Sequence, residues 1–234
     1  FYVNGSKIGN TTFDPAFTDY DKRALYLSYD VTDELLPGAN AVGAILGEGW
    51  YGQSLAYATL KDTPRYGDPG LIAQLELIYE DGTREQVITD DSWTCTLEGP
   101  VVKNGIWCGE VHDARREMAG WNEPGFKGGE GWTAAETVEP LSPRLEAQNV
   151  EPIRVVETTE TKSIMHPKPD VWVVDLGRVL TGVVRLKVEN QPAGTPVLLT
   201  YGQSLDRDGT VYGTGHMSVT ANNTDLYVCR GDAE

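Results

Sequence analysis

Cysteine is scarce in this chain: three thiols, Cys95, Cys108 and Cys229, among 234 residues. Their odd number and wide spacing argue against a disulfide framework. With no Cys-x-x-Cys and no Cys/His cluster, a zinc site is disfavoured too, and the three read as buried or half-buried thiols. Basic residues are also few, 19 Lys and Arg against 35 Asp and Glu, for a net charge of −16. That balance speaks against a nucleic acid or an anionic membrane as partner, because phosphate binding rests on Lys and Arg. A neutral polar ligand or a cation fits better. No apolar run approaches the length of a membrane span, and no signal-peptide pattern opens the chain. No Gly-x-Ser-x-Gly elbow is present, and His112, His166 and His216 sit in unrelated contexts, so nucleophilic catalysis has little support.

Glycine and proline are plentiful, 26 and 13 residues, and 40% of the chain is hydrophobic. This is enough apolar chain for one or two domains. Period-2 alternation and turn dipeptides dominate. Leu75 to Ile88 reads as a β-hairpin closed by Asp81-Gly82, a type I′ signal. Asn4-Gly5 and Asp208-Gly209 signal two more, the last between a strand at 197–201 and a short run at 211–212. Asp33 to Gly38 reads as one helical turn. Residues 40–46, 171–176 and 183–188 read as strands, the first of them buried. Many short strands joined by Gly/Pro turns indicate an all-β sandwich architecture. Five prolines between Glu139 and Asp170, with a polar run at 157–162, mark a connector, and His166 in Met-His-Pro-Lys-Pro reads as part of it. The expected division is a first domain at 1–145 and a shorter second at 146–234. The opening residues read as the end of a strand, and the second part is short for a sandwich. The chain is therefore expected to start inside one domain and stop inside another.

Two segments mix aromatic rings with polar side chains, the combination a sugar needs. A pyranose packs its C–H face on a ring while its hydroxyls meet carboxylates, amides and Arg. One is Gly47-Glu48-Gly49-Trp50-Tyr51-Gly52, a glycine-spaced turn. The other runs from Trp107 through Glu110, His112, Asp113, Arg115 and Arg116 to Glu117. Against this stands the reading of Trp50 and Trp107 as core rings with a solvated charged rim. Asp206-Arg207-Asp208-Gly209 lacks the spaced Glu of a calcium loop and reads as a hairpin turn.

Read with their flanks, these segments resemble the N-terminal part of bacterial α-L-rhamnosidases. The resemblance runs in order through Val3-Asn4-Gly5, Phe13-Asp14-Pro15-Ala16-Phe17-Thr18-Asp19-Tyr20, Leu46-Gly47-Glu48-Gly49-Trp50-Tyr51 and Asp90-Asp91-Ser92-Trp93. It continues through Gly109-Glu110-Val111-His112-Asp113-Ala114-Arg115, Gly120-Trp121, Val174-Asp175-Leu176-Gly177 and Tyr201-Gly202-Gln203-Ser204-Leu205. It implies a galactose-binding-like jelly roll, of a class that includes rhamnose-binding modules dependent on Ca²⁺, followed by a partial second β-sandwich. The family's chemistry is done in a later helical barrel by a carboxylate pair, so no catalytic residue is assigned here. Implied partners are rhamnose-containing glycans or glycosides and the catalytic barrel of the same full-length chain. In the sugar-binding reading Trp50 and Tyr51, with Trp107, supply packing surface. Glu48, Glu110 and Asp113 accept hydroxyl hydrogen bonds or ligate the ion, and Arg115 orients a carboxylate. The competing readings are a purely structural role against the barrel and a stand-alone sugar-binding or adhesion module.

Overall fold

The computed structural model describes residues 1–52, 66–106, 109–212 and 224–231. Among them are fifteen short strands, two 3₁₀ turns and no α-helix, so the architecture is all-β. Strand β1 (Tyr2–Val3) lies between β2 (Ser6–Lys7) and β4 (Val42–Gly43), antiparallel to both. Asn4 and Gly5 close the first hairpin with φ of 49° and 85°, as a two-residue Asn-Gly turn demands. Strand β3 (Ala24–Tyr26) pairs in parallel with β11 (Leu145–Ala147), and Thr11 bridges Arg154, so chain beyond residue 145 returns to the first sheets. Val3, Ile8, Leu25 and Ala114 form the buried apolar positions of this half, while Val173, Val188 and Cys229 serve the other.

The hairpin of β5 (Gln74–Ile78) and β6 (Arg84–Ile88) has the expected register, Leu75 opposite Val87 and Leu77 opposite Glu85. Its turn differs from the type I′ expectation. Gly82 alone takes a positive φ, 83°, and its N–H bonds to the Tyr79 carbonyl. The loop is therefore one residue longer, because Asp81 Oδ1 accepts from both the N–H and the hydroxyl of Thr83 and keeps Asp81 out of the left-handed region. The strand expected at 40–46 shrinks to β4, with Ile45 and Leu46 exposed. At Gly43 the Trp121 ring packs so close that a Cβ would meet it at 2.6 Å.

The expected helical turn is a 3₁₀ turn over Thr32–Glu34. His166 is no linker residue. It lies in β12 (Ser163–Lys168), its ring edge-on to Trp172 of β13 (Val171–Asp175), and a register shift between Met165 and Lys168 accommodates Pro167. Residues 183–188 form no strand, having no partner strand among the described residues. Cys95, on β7 (Thr94–Cys95) beside β10 (Thr133–Ala134), is exposed where burial was expected; Cys229 is fully buried and Cys108 lies outside the described residues.

The largest sheet joins distant parts of the sequence. Its order is β14 (Pro196–Thr200), β15 (Thr224–Val228), β9 (Val111–Asp113) and β8 (Val101–Lys103). β14 and β15 are antiparallel, and β15 runs parallel to β9 with Leu226 opposite Val111. The Asp208-Gly209 turn forms as expected; among the described residues its arms meet through a Leu205–Val211 bridge, and β14 takes β15 as its partner.

Candidate functional site

The Gly47–Gly52 turn is closed by the Gly52 N–H bonding to the Glu48 carbonyl at 2.6 Å. It is held from outside by Asn104, whose Oδ1 accepts from the Glu48 N–H at 2.9 Å. Asn104 follows β8, so the turn docks on the loop that leads to β9. The turn presents half-buried Trp50 and Tyr51 to a cluster of rings. Trp50 lies 5.7 Å from Phe17, and Phe17 6.2 Å from Tyr20. Tyr20 sits edge-on to Tyr51 at 5.2 Å and to Tyr66 at 5.0 Å, while Tyr51 and Tyr66 stack at 5.7 Å. Burial, with the Tyr66 phenol beside it, pushes the Tyr20 hydroxyl up to about 12. Phe17 is 57% exposed, so the cluster forms an open aromatic ledge and no sealed core. The Trp50 Nε1–H is buried and meets no acceptor among the described residues.

The second segment is arranged differently. Asp113, at the end of β9, accepts from the Arg115 N–H at 3.1 Å, from Arg115 Nε at 2.8 Å and, at its other oxygen, from Arg115 Nη2 at 2.8 Å. It thereby caps the 3₁₀ turn Ala114–Arg116, and the guanidinium lowers its carboxyl to about 2. The two charges satisfy each other, and Arg115 borders a cleft of about 480 Å³ lined also by Glu98, Arg116, Glu117 and Met118. Two residues before Val111, Gly109 turns the chain into β9 with a φ of 71°. Next to it, the Glu110 N–H donates to Asp225 Oδ1 at 2.7 Å, and Tyr201 Oη donates to Asp225 Oδ2 at 2.7 Å. Burial first, and the Asp225 carboxylate after it, raise the Glu110 carboxyl above its ordinary value, with His112 acting in the opposite sense. His112 stacks on Tyr227 at 5.4 Å and reaches Glu117 at 3.2 Å, and Glu117 pairs with Arg230 at 2.6 Å.

The structure thus gathers Glu48, Trp50 and Tyr51 in one turn and joins it through Asn104 to the loop leading to Glu110. Asp113 and Arg115 stand at the far end of β9, paired with each other, and Trp107 lies outside the described residues. Sequence reasoning missed Phe17, Tyr20 and Tyr66 as ledge members, and Asn104 and Asp225 as the groups that hold the loops. The signal for the first two was an aromatic pair at i and i+3 just after Pro15. For Asp225, more than a hundred residues from Glu110, no local signal exists. Among the described residues no three His, Cys, Asp or Glu side chains converge as a metal shell. Asp208 is taken by Thr210 and Lys168.

The described residues form an all-β chain with an aromatic ledge and a polar sheet seam, and its fold is of the β-sandwich class. Family comparison makes the assignment specific. Residues 1–157 match the α-L-rhamnosidase N-terminal domain and residues 165–234 the bacterial α-L-rhamnosidase concanavalin-like domain, and the chain belongs to this family. It is 38% identical over its whole length to an α-L-rhamnosidase of Streptomyces avermitilis and 32% identical to one of Formosa agariphila. It covers only 22% and 25% of those proteins. Among solved structures, the Streptomyces avermitilis α-L-rhamnosidase complexed with L-rhamnose superposes with a TM-score of 0.90 over 99% of this chain and 22% of that one. The α-L-rhamnosidase of Dictyoglumus thermophilum does so at 0.87, with 35% identity, over 98% of this chain and 24% of that one.

Proposed function

We propose that this chain is the non-catalytic, accessory part of an α-L-rhamnosidase, a pair of β-sandwich units that pack on the catalytic barrel of the same polypeptide. One observation carries the reading. The outer face of the β12–β13 hairpin is apolar and open: Ile164 is 57%, Trp172 60% and Val174 49% exposed, with Ile164 directly opposite Val174. Val179, Val183 and Val184 extend the same exposure along the chain. Contiguous apolar surface of this kind marks a contact face in soluble proteins. A catalytic barrel of the same polypeptide as occupant is supported by the length of the relatives, about four times that of this chain. The whole enzyme would act on rhamnose-containing glycans or glycosides. Oxidative labelling of Trp172 tests the packing: labelling in the isolated chain and protection in the longer polypeptide are expected. Equal labelling in both would remove the reading.

A second reading is favoured by the ledge: the first unit binds L-rhamnose or a related deoxyhexose. The exposed Phe17 ring, with half-buried Trp50 beside it at 5.7 Å, suits a sugar's C–H face. Glu48 and Glu110 would accept hydroxyl hydrogen bonds. Arg115, held by Asp113, would form part of the charged border of the cleft. Calorimetric titration with L-rhamnose, with and without EDTA, tests this. Binding indifferent to EDTA is expected, and Trp50→Ala should weaken it about tenfold. No heat from the parent chain at millimolar sugar would remove the sugar reading and leave the packing one intact.

A further inference from the structure

The boundary between the two family segments falls near residue 160, yet the central pair of the largest sheet crosses it. β9 belongs to the first segment and β15 to the second. We propose that Asp225, on the second segment, is the positioning residue for the Gly109–Asp113 stretch of the first. The second candidate loop is thereby built on the seam between the segments, and the two fold as one block.

Three sets of contacts carry this inference. Asp225 uses both carboxylate oxygens on groups that need placing, the Glu110 N–H at 2.7 Å and the Tyr201 hydroxyl at 2.7 Å. The first contact fixes the chain where it enters β9, and the second ties that point to the residue following β14. On the other side of the same residue, the Leu226 N–H bonds to the Glu110 carbonyl at 2.8 Å, so Glu110 is gripped at its donor and its acceptor. Gly109 completes the fit. A Cβ at that position would run into the Thr224 carbonyl, so the loop lies directly on β15 without a side chain between them. Farther along the seam Glu117 reaches Arg230, and the His112 ring covers Tyr227. Titratable side chains therefore face one another from β9, β15 and the residues flanking them: Glu110, His112 and Glu117 from one segment, Tyr201, Asp225 and Arg230 from the other.

A local tether and a mere neighbour behave differently under substitution. Losing a hydrogen bond to a charged acceptor should raise the exchange rate of the Glu110 amide about tenfold or more in Asp225→Ala. The Tyr79 amide, in the separate β5–β6 hairpin, serves as the internal control and should keep its rate. Asp225→Asn retains a carboxamide oxygen for the Glu110 N–H and should restore most of the protection. It also removes the neighbouring negative charge, so the Glu110 carboxyl should titrate lower than in the parent chain, a shift that a purely structural residue would not cause. If Asp225→Ala does not fold, Tyr201→Phe supplies the test, since freeing one carboxylate oxygen should raise Glu110 exchange about threefold with Tyr79 unchanged. An unchanged Glu110 amide in a folded Asp225→Ala or Tyr201→Phe protein, or equal loosening at Glu110 and Tyr79, would overturn the proposal. The proposal rests on the sugar-binding reading only for the loop's purpose. Absence of L-rhamnose binding by the parent chain would end that reading while the exchange result still decides the role of Asp225.

Discussion

Substituting Gly109 by Ala probes the seam with a known geometry. The residue sits at a φ of 71°, and its Cα faces the Thr224 backbone carbonyl, which has no side-chain freedom with which to retreat. Two costs add. Holding an L-residue in the left-handed region costs about 1–2 kcal/mol. Overpacking against backbone costs a further ~1–3 kcal/mol. The sum is about 2–5 kcal/mol, which for a chain of this size lowers Tm by about 4–20 °C. Gly82→Ala isolates the first cost, because Gly82 has a φ of 83° but nothing within 4 Å of its Cβ direction. Its expected loss is about 1–2 kcal/mol, or about 2–8 °C. Gly99→Ala, with nothing within 4 Å of an added Cβ and without a positive φ, should stay within about 0.5 kcal/mol of the parent. Thermal unfolding followed by circular dichroism ranks the three. A Gly109→Ala chain melting within a degree or two of Gly82→Ala would refute the close contact between the loop and β15.

Other perturbations follow from the same geometry. The Glu110 carboxyl is raised in the folded chain, so its contribution is fully present below its unfolded value of 4.5 and is lost as pH rises through the raised value. Glu110→Gln should therefore raise Tm at pH 7 and leave it nearly unchanged at pH 4; an equal change at both pH values would contradict the cause given. Asp113 is the opposite case, its carboxyl lowered to about 2 by Arg115, so its contribution is present above the ordinary value of 3.8 and fades as pH falls toward 2. Arg115→Ala should flatten the acid limb of the stability profile between pH 4 and 2, and an unaltered limb would show the pair to be inert. Lysines in place of Ile164 and Val174 should suppress concentration-dependent self-association of the isolated chain without lowering Tm, as sedimentation velocity would reveal.

Local chemistry made much of the fold legible. Asn4-Gly5, Asp81-Gly82 and Asp208-Gly209 all mark turns because few residues other than Gly and Asn accept a positive φ. Strand β5 was legible from its alternation, and β5, β13 and β14 each show one more buried face. Reading failed where a distant partner decides the outcome. Val183–Val188 has strand composition but no described partner, and composition alone does not make a ladder. His166 looked like a linker residue because of its two neighbouring prolines, yet a register shift lets β12 carry Pro167. At the candidate site, Glu48, Trp50 and Tyr51 were found through their glycine-spaced turn. The sequence could not show that Asp113 and Arg115 would pair so fully with each other, nor that Asp225 would hold Glu110. Both depend on where β9 ends and on which strand lies beside it.

If the chain is the accessory unit proposed above, it performs no glycoside chemistry of its own. The direct measurement is the initial rate at which the purified 234-residue chain releases the aglycone from an aryl α-L-rhamnoside. The predicted result is release indistinguishable from buffer across the substrate range. Saturable release that scales with the amount of chain would contradict it.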